Sequence, residues 1–155
     1  MAKGGLEYSD FKKFHNQLLR LQRGNDDFIL RLSNQIGLLL LRRVVQLTPV
    51  GVYDDLIGES RTGGQLRRSW RIQKATKQVK AYAAVVYNQA EYAFYVEYGH
   101  RQQPGRYVPA LGKRLKRSWV TGRFMLTKAQ IEVEQDLPQL VLSELLSCYG
   151  GIFHE

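Results

Sequence analysis

The sequence predicts an α+β fold: a small antiparallel β-sheet packed against a long N-terminal helix and a C-terminal helix, with a long basic loop or hairpin between them. Three observations predict it. Apolar residues recur every four positions from Phe28 to Val44. The period shortens toward two between Leu66 and Tyr87. It lengthens again to a helical spacing after Thr127. A chain of 155 residues fits one domain, and a chain of this size buries roughly 68–70 % of its unfolded surface. The expected domain is therefore residues 1–155, with 1–24 as a helical arm and 99–122 as an extended basic loop.

Each element follows from local patterning. Ser9 to Gln22 carries Phe11, Phe14, Leu18, Leu19 and Leu21 near helical spacing, and Gly24 is the expected stop. Asn25 is then a candidate N-cap, followed by Asp26 and Asp27, whose charges suit the positive end of a helix. That second helix is expected to run to about Leu47. Phe28, Leu32, Ile36, Leu40 and Val44 form its stripe, widened by Ile29, Leu39, Leu41 and Val45. Thr48-Pro49 ends it, because proline disfavours the helical conformation at the preceding residue. The glycine-rich stretch from Val50 to Gln65, with Asp54, Asp55 and Glu59, reads as a loop.

Leu66 to Ala75 alternates bulky and charged residues and reads as a strand, with Arg67 and Arg68 on its opposite faces. Lys80 to Tyr87 reads as a second strand, and Lys77-Gln78 between them makes an antiparallel hairpin the simplest arrangement. Glu91 to Tyr98 suggests a helical turn leading into a short strand. Gly99 to Gly122 is interrupted by Pro104, Gly105, Pro109 and Gly112, and a connection this long is usually functional or mobile. Thr127 to Gln130 has capping-box spacing, so a helix is expected from about Lys128, kinked or restarted at Pro138. Its apolar positions are Ile131, Val133, Leu137, Leu140, Val141, Leu145 and Leu146.

Charge is the most informative bulk property. The net charge is +9, and it is unevenly spread. One basic stretch holds Arg61, Arg67, Arg68, Arg71, Lys74, Lys77 and Lys80, with no acid between Glu59 and Glu91. Another holds Arg101, Arg106, Lys113, Arg114, Lys116, Arg117 and Arg123, with none between Glu97 and Glu132. Such polarity points to contact with nucleic acid or to docking on an acidic neighbouring subunit; the bland reading is a solubilising surface. The lone Cys148 suits a reducing compartment. The N-terminus lacks a signal-type apolar core. The apolar run around Gly37 to Leu41 is far below the ~18–20 residues that span a bilayer. The expectation is a protein made and used in the cytoplasm, or in a particle assembled there, with no membrane contact.

Catalytic signatures fail on inspection. Six residues separate Gly105 from Gly112-Lys113 where a phosphate loop has four, and Arg114 replaces the required Ser or Thr. His15, His100 and His154 lie apart and lack metal-ligand spacing. Cys148 sits on an apolar helix and reads as a packed thiol. Trp70 and Trp119 could stack on bases, but core or interface anchors are the commoner use. No nucleophile, base and orienting group assemble. No enzyme, cofactor or metal is expected.

Four segments, in order, resemble a known family. They are Thr48-Pro49-Val50; Thr62-Gly63-Gly64-Gln65-Leu66-Arg67-Arg68-Ser69-Trp70; Val86-Tyr87-Asn88 with Tyr92-Ala93-Phe94-Tyr95-Val96-Glu97-Tyr98-Gly99-His100-Arg101; and Gly122-Arg123-Phe124-Met125-Leu126. Together they resemble the phage HK-ninety-seven gene-product-ten-like family, neck or tail-completion proteins of long-tailed phages, over roughly residues 28–147. Two features depart from the family pattern: Gly51 to Arg61 intervene between the first two motifs, and the segment from Arg101 to Trp119 is long.

The resemblance implies a non-enzymatic virion protein of the neck, assembled in the host cytoplasm. It implies a closed ring of this chain, on the order of six or twelve copies, between a head connector or stopper and a tail terminator or tube. DNA passing through the lumen would be touched at most non-specifically. Expected subunit or partner contacts are Arg67, Arg68, Trp70, Tyr95, Glu97 and Tyr98, with Arg101, Arg106, Lys113, Arg114, Lys116, Arg117 and Trp119 on the basic segment. One of Arg67 and Arg68 is expected to meet Glu97 or a neighbouring subunit. Tyr92, Tyr95 and Tyr98 form an aromatic face for either core or ring contact. The alternative function is a DNA-binding or packaging-associated phage protein that uses the same basic stretches.

Overall fold

A computed structural model describes residues 8–51, 63–79, 81–109 and 112–149, with side chains from residue 24 to 148. Arg61, Thr62 and Lys80, the acidic loop at Asp54, Asp55 and Glu59, the side chain of His15, and His154 fall outside this description. The first element is one helix, α1 (Tyr8–Leu47), of 40 residues. It is about 60 Å long at ~1.5 Å per residue.

The expected break at Gly24 does not occur. A glycine stops a helix only when the chain turns away there. In a helix interior it costs only about 1 kcal/mol relative to alanine, which a helix this long absorbs. Asn25 is accordingly an interior residue and no N-cap. The other end is as expected. α1 stops at Leu47, before Thr48-Pro49.

Gly63 and Gly64 lead into a single helical turn, α2 (Gln65–Arg68), where the sequence suggested a strand from Leu66. The turn closes through Arg68 N–H to the Gly64 carbonyl (3.0 Å) and Ser69 N–H to the Leu66 carbonyl (3.2 Å). It drops Leu66 into the core. A few residues of alternating bulk fit one helical turn as well as a strand, so periodicity alone could not separate them.

The strands β1 (Trp70–Lys77) and β2 (Tyr82–Asn88) form the expected antiparallel hairpin. Register runs from Trp70↔Asn88 to Lys77↔Tyr82, with an irregularity between Gln73 and Thr76. There the Ala75 N–H leaves the ladder and donates to Asn34 Oδ1 of α1 (2.8 Å). A bulge thus becomes a tie between sheet and helix.

After the hairpin come α3 (Ala93–Tyr98) and four short strands, β3 (Gly99–Arg101), β4 (Tyr107–Val108), β5 (Lys113–Arg114) and β6 (Trp119–Thr121). β3 pairs with β6 and β4 with β5, both antiparallel. The basic segment is therefore a two-stranded ribbon, the hairpin alternative to an irregular loop.

The last element, α4 (Met125–Tyr149), lies antiparallel to α1. Arg43 bridges Asp136 (3.0 Å) and Glu132 (3.4 Å), Gln35 donates to Glu144, and Arg31 reaches Cys148 Sγ (3.3 Å). The helix neither starts at Lys128 nor restarts at Pro138, which sits inside it. Pro138 and Glu134, whose carbonyl loses its helical donor, are both exposed, so water can satisfy that carbonyl.

The core gathers at one end of the molecule. Val44, Leu66, Trp70, Met125 and Ala129 are buried there, with Leu40, Leu41, Val86, Val96 and Leu126 packed around them. The hairpin and α4 thus clasp the C-terminal half of α1. No helix among the described residues is long and apolar enough to cross a membrane.

Candidate functional site

Two hydrogen-bonded nodes anchor the structure beneath its exposed surface, and the sequence motifs supply both. The first centres on Thr48, which is fully buried. Its hydroxyl donates to the Val44 carbonyl (2.6 Å) and accepts from Trp70 Nε1 (2.8 Å). Its carbonyl accepts from Arg67 through both Nε (2.9 Å) and Nη2 (2.6 Å). A carbonyl just past a helix end has no helical donor of its own, and the guanidinium fork supplies two. Asn88 Nδ2 closes the hairpin base on the Leu66 carbonyl (2.9 Å), while the Ser69 hydroxyl donates to the Gln65 carbonyl (2.7 Å).

The second node joins α3, the ribbon and α4. Glu97 is only 5 % exposed, yet its carboxylate is fully used. Oε2 accepts from the Leu126 N–H (3.0 Å), and Oε1 accepts from the Thr127 N–H (3.1 Å) and hydroxyl (3.0 Å). A carboxylate at a helix N-terminus satisfies free donors and opposes the positive end of the dipole. In return, the Arg123 N–H donates to the Val96 carbonyl (2.8 Å) and the Phe124 N–H to the Glu97 carbonyl (3.1 Å). The cap of α4 is thus a distant side chain, where the sequence suggested a Thr127–Gln130 box.

Two glycines let the backbones meet at this node. Gly99 has φ +84°, and a Cβ there would lie 2.3 Å from the Val120 carbonyl oxygen. A Cβ on Gly122 would lie 2.2 Å from the Glu97 carbonyl oxygen. Only glycine fits either approach.

These nodes revise three expected contacts. Arg67 and Arg68 do not share a strand, and among the described residues neither meets Glu97. Arg67 serves Thr48, and Arg68 Nη1 donates to the Gly63 carbonyl (3.2 Å). Glu97 faces inward and caps α4. Trp70 is 8 % exposed and belongs to the protomer's own core. Of these, Arg68 is exposed, Arg67 is half-buried, and Trp70 and Glu97 are buried.

The remaining expected contacts lie outside. Phe94, Tyr95 and Tyr98 on α3 are 65, 56 and 50 % exposed. They form one cluster: Phe94 lies 4.9 Å from Tyr98 and 6.3 Å from Tyr95 between ring centroids, and Tyr98 meets Phe124 edge-on at 6.4 Å. Tyr92 is exposed beside them. Phe94, the most exposed of the set, was not among the expected contacts. Its place one residue before Tyr95 on a six-residue helix leaves no periodic signal.

The ribbon rises from this cluster. It continues past the β3–β6 pair through Gln102 N–H to the Ser118 carbonyl (2.8 Å) and Gly105 N–H to the Leu115 carbonyl (2.9 Å). Arg101, Arg106, Lys113, Arg114, Lys116, Arg117 and Trp119 are all exposed along it. At its base His100 packs edge-on to Tyr95 (5.9 Å), and its Nδ1 is buried without a hydrogen-bond partner. The arrangement offers flat aromatic area next to dense positive charge, a surface suited to docking. Among the described residues no cluster of His, Cys, Asp and Glu could hold a metal ion.

Residues 12–99 match a protein-family model described as "Bacteriophage HK97-gp10, putative tail-component". The matched span covers nearly all of α1, the hairpin and α3, and ends where the ribbon begins. It therefore begins earlier and ends earlier than the span of roughly 28–147 that the motifs suggested. No curated protein and no solved structure gives a significant match.

Proposed function

Since the chain belongs to the HK97-gp10-like family of phage tail components, we propose that it is a structural, non-catalytic subunit of the phage neck. Copies form a ring that joins the DNA-filled head, through its connector or stopper, to the tail terminator or tube, and DNA passes through the lumen. One observation carries this reading beyond the family: the α3–ribbon surface is aromatic, basic and exposed, while the nodes beneath it are rigidly bonded. Exposed apolar area rimmed by charge marks an interaction site.

The basic ribbon docks on protein in this reading. A lumen must tolerate the phosphate backbone without gripping it, because tight binding would oppose ejection. Reversing Lys113, Arg114, Lys116 and Arg117 to glutamate leaves the fold intact, since all four are exposed. It blocks head–tail joining and collapses the yield of infectious particles. Normal yields from that variant would reject the assignment.

A second reading, a DNA-binding or packaging-associated protein, draws on the same exposed cations. Salt separates the two. Duplex affinity in the sub-micromolar range that falls steeply with salt favours DNA, because each phosphate contact releases counterions. Weak affinity with little sequence preference fits the ring.

A further inference from the structure

We propose that the outer edge of β2 pairs antiparallel with the same edge of a second copy, joining two hairpins into one four-stranded sheet across a twofold axis. Such a contact ends at two copies, so it goes beyond the ring reading and uses a different surface.

The two edges of the hairpin are unlike. In an antiparallel ladder, residues whose N–H and C=O face the partner strand alternate with residues whose groups face away. The Gln89 N–H donates to the Ser69 carbonyl (3.0 Å) and the Gln78 N–H to the Ala81 carbonyl (2.7 Å). Counted from these bonds through the register, Arg71↔Tyr87, Gln73↔Val85 and Thr76↔Ala83 face each other. Trp70 and Ile72 on β1, and Tyr82, Ala84, Val86 and Asn88 on β2, therefore turn their backbone groups outward.

The β1 edge is closed. Arg71 Nη1 donates to the outward Trp70 carbonyl (2.8 Å). The Ala75 N–H is taken by Asn34 (2.8 Å), and the register shifts beside it, between Gln73 and Thr76. Arg71, Lys74 and Lys77 are exposed along the strand. Charge and a bulge are the usual guards of a strand edge. The β2 edge has no such guard. Tyr82 to Asn88 includes no charge, no proline and no glycine. Among the described residues no group bonds to the outward N–H and C=O of this strand.

A second copy matches this edge because its β1 is closed and its β2 is open. Placing Val85 on the twofold axis sets Ala84 against Val86 and Tyr82 against Asn88. Every outward donor and acceptor of these four residues then meets its complement. Ile72 and Ala84 lie against Gly37 of α1, so Ala83, Val85 and Tyr87 share the outer face. There Val85 meets Val85, and Tyr87 meets Ala83, a large ring over a small side chain. Val85 and Tyr87 are 47 and 43 % exposed in the single chain. No like charges meet along the strand. A lone pair of strands becomes a sheet of ordinary size.

The test uses the full chain. In sedimentation at rising concentration, wild type should form dimers. Val85→Lys should keep the wild-type circular dichroism and stay monomeric over the same range, because it sets like charges directly opposite each other. In a Cys148→Ser background, Val85→Cys should give a disulfide-linked dimer under oxidised glutathione. The two copies of Val85 form a pair without mutual hydrogen bonds, about 4.5 Å apart between Cα atoms, within the reach of a disulfide. Tyr87→Cys in the same background should stay unlinked, since Ala83 lies opposite it.

A wild type that remains monomeric throughout would overturn the pairing. So would dimers of Val85→Lys as strong as those of wild type, or a Tyr87→Cys dimer that links in preference to Val85→Cys. Should Val85→Lys fail to fold, the cysteine pair decides alone. The ring reading stands or falls separately, on whether the chain is present at the neck of finished particles.

Discussion

The molecule contains two antiparallel ribbons with nearly opposite energetics. β1–β2 has strands of eight and seven residues and lies along α1. Its base is pinned by Trp70 and Thr48, its middle by Asn34, and its tip by Lys77 and Tyr82 hydrogen-bonding to Asp26. The ribbon from β3 to β6 has strands of two or three residues, and among its described residues only Gly99, at its base, is buried. A lone two-stranded ribbon is marginal in water. This one is held from below, by the Gly99–Gly122 approach and the Glu97 cap. One ribbon packs its side chains into the protomer's core; the other keeps them outward and exposed.

The two tryptophans give the sharpest contrast. Trp70→Ala should cost about 3–5 kcal/mol, the range for emptying a buried aromatic site, and should move the urea midpoint of the whole domain. Trp119 is 48 % exposed, and its alanine variant should stay within about 1 kcal/mol of wild type while weakening assembly. Equal effects on stability would erase the distinction between the ribbons.

Glu97→Ala should cost about 1–3 kcal/mol, because it strips three donors of their acceptor at a part-buried helix start. Hydrogen exchange should rise at Leu126 and Thr127 and across the β3–β6 pair. The Ala75 amide, in the other ribbon, should stay protected. Uniform loss of protection would mean that the ribbons are not separately supported.

The smallest effect belongs to the hairpin tip. Hydrogen bonds from Lys77 and then from the Tyr82 hydroxyl hold the Asp26 carboxyl below its ordinary value of 3.8. A depressed folded-state pKa stabilises the protein above the unfolded value, and that contribution is lost as pH falls through the folded one. The tip should therefore loosen from α1 only in acid below about pH 4, and the effect should be slight because the site is exposed to solvent. An NMR titration of Asp26 should show the depressed midpoint, and Asp26→Asn should remove this acid sensitivity. A midpoint at or above 3.8 would contradict the tie.

How much of this was legible depended on the range of the interaction. The four-residue recurrence from Phe28 to Val44, the stop at Thr48-Pro49 and the β1–β2 pairing are local patterns, and each is present in the fold. Gly24 misled because a glycine reads as a stop only when its neighbours turn away. The Thr127 box misled because the cap arrives from Glu97, 29 residues upstream of Leu126, and no local spacing encodes that. The motif residues Thr48, Arg67, Trp70, Glu97, Gly99 and Gly122 were legible as a set. Their work is different from what their charge and size suggested: they tie the protomer together. The exposed cations of the ribbon were legible as charge. The exposed leucines of α4, Leu142, Leu145 and Leu146, were visible only as apolar residues, since sequence cannot say which side of a helix finds a partner inside its own chain.

Whether this protein joins head to tail at the neck is tested by electron micrographs of particles made without it. Full heads should lie beside separate, finished tails. Joined heads and tails in the absence of this chain would contradict that role.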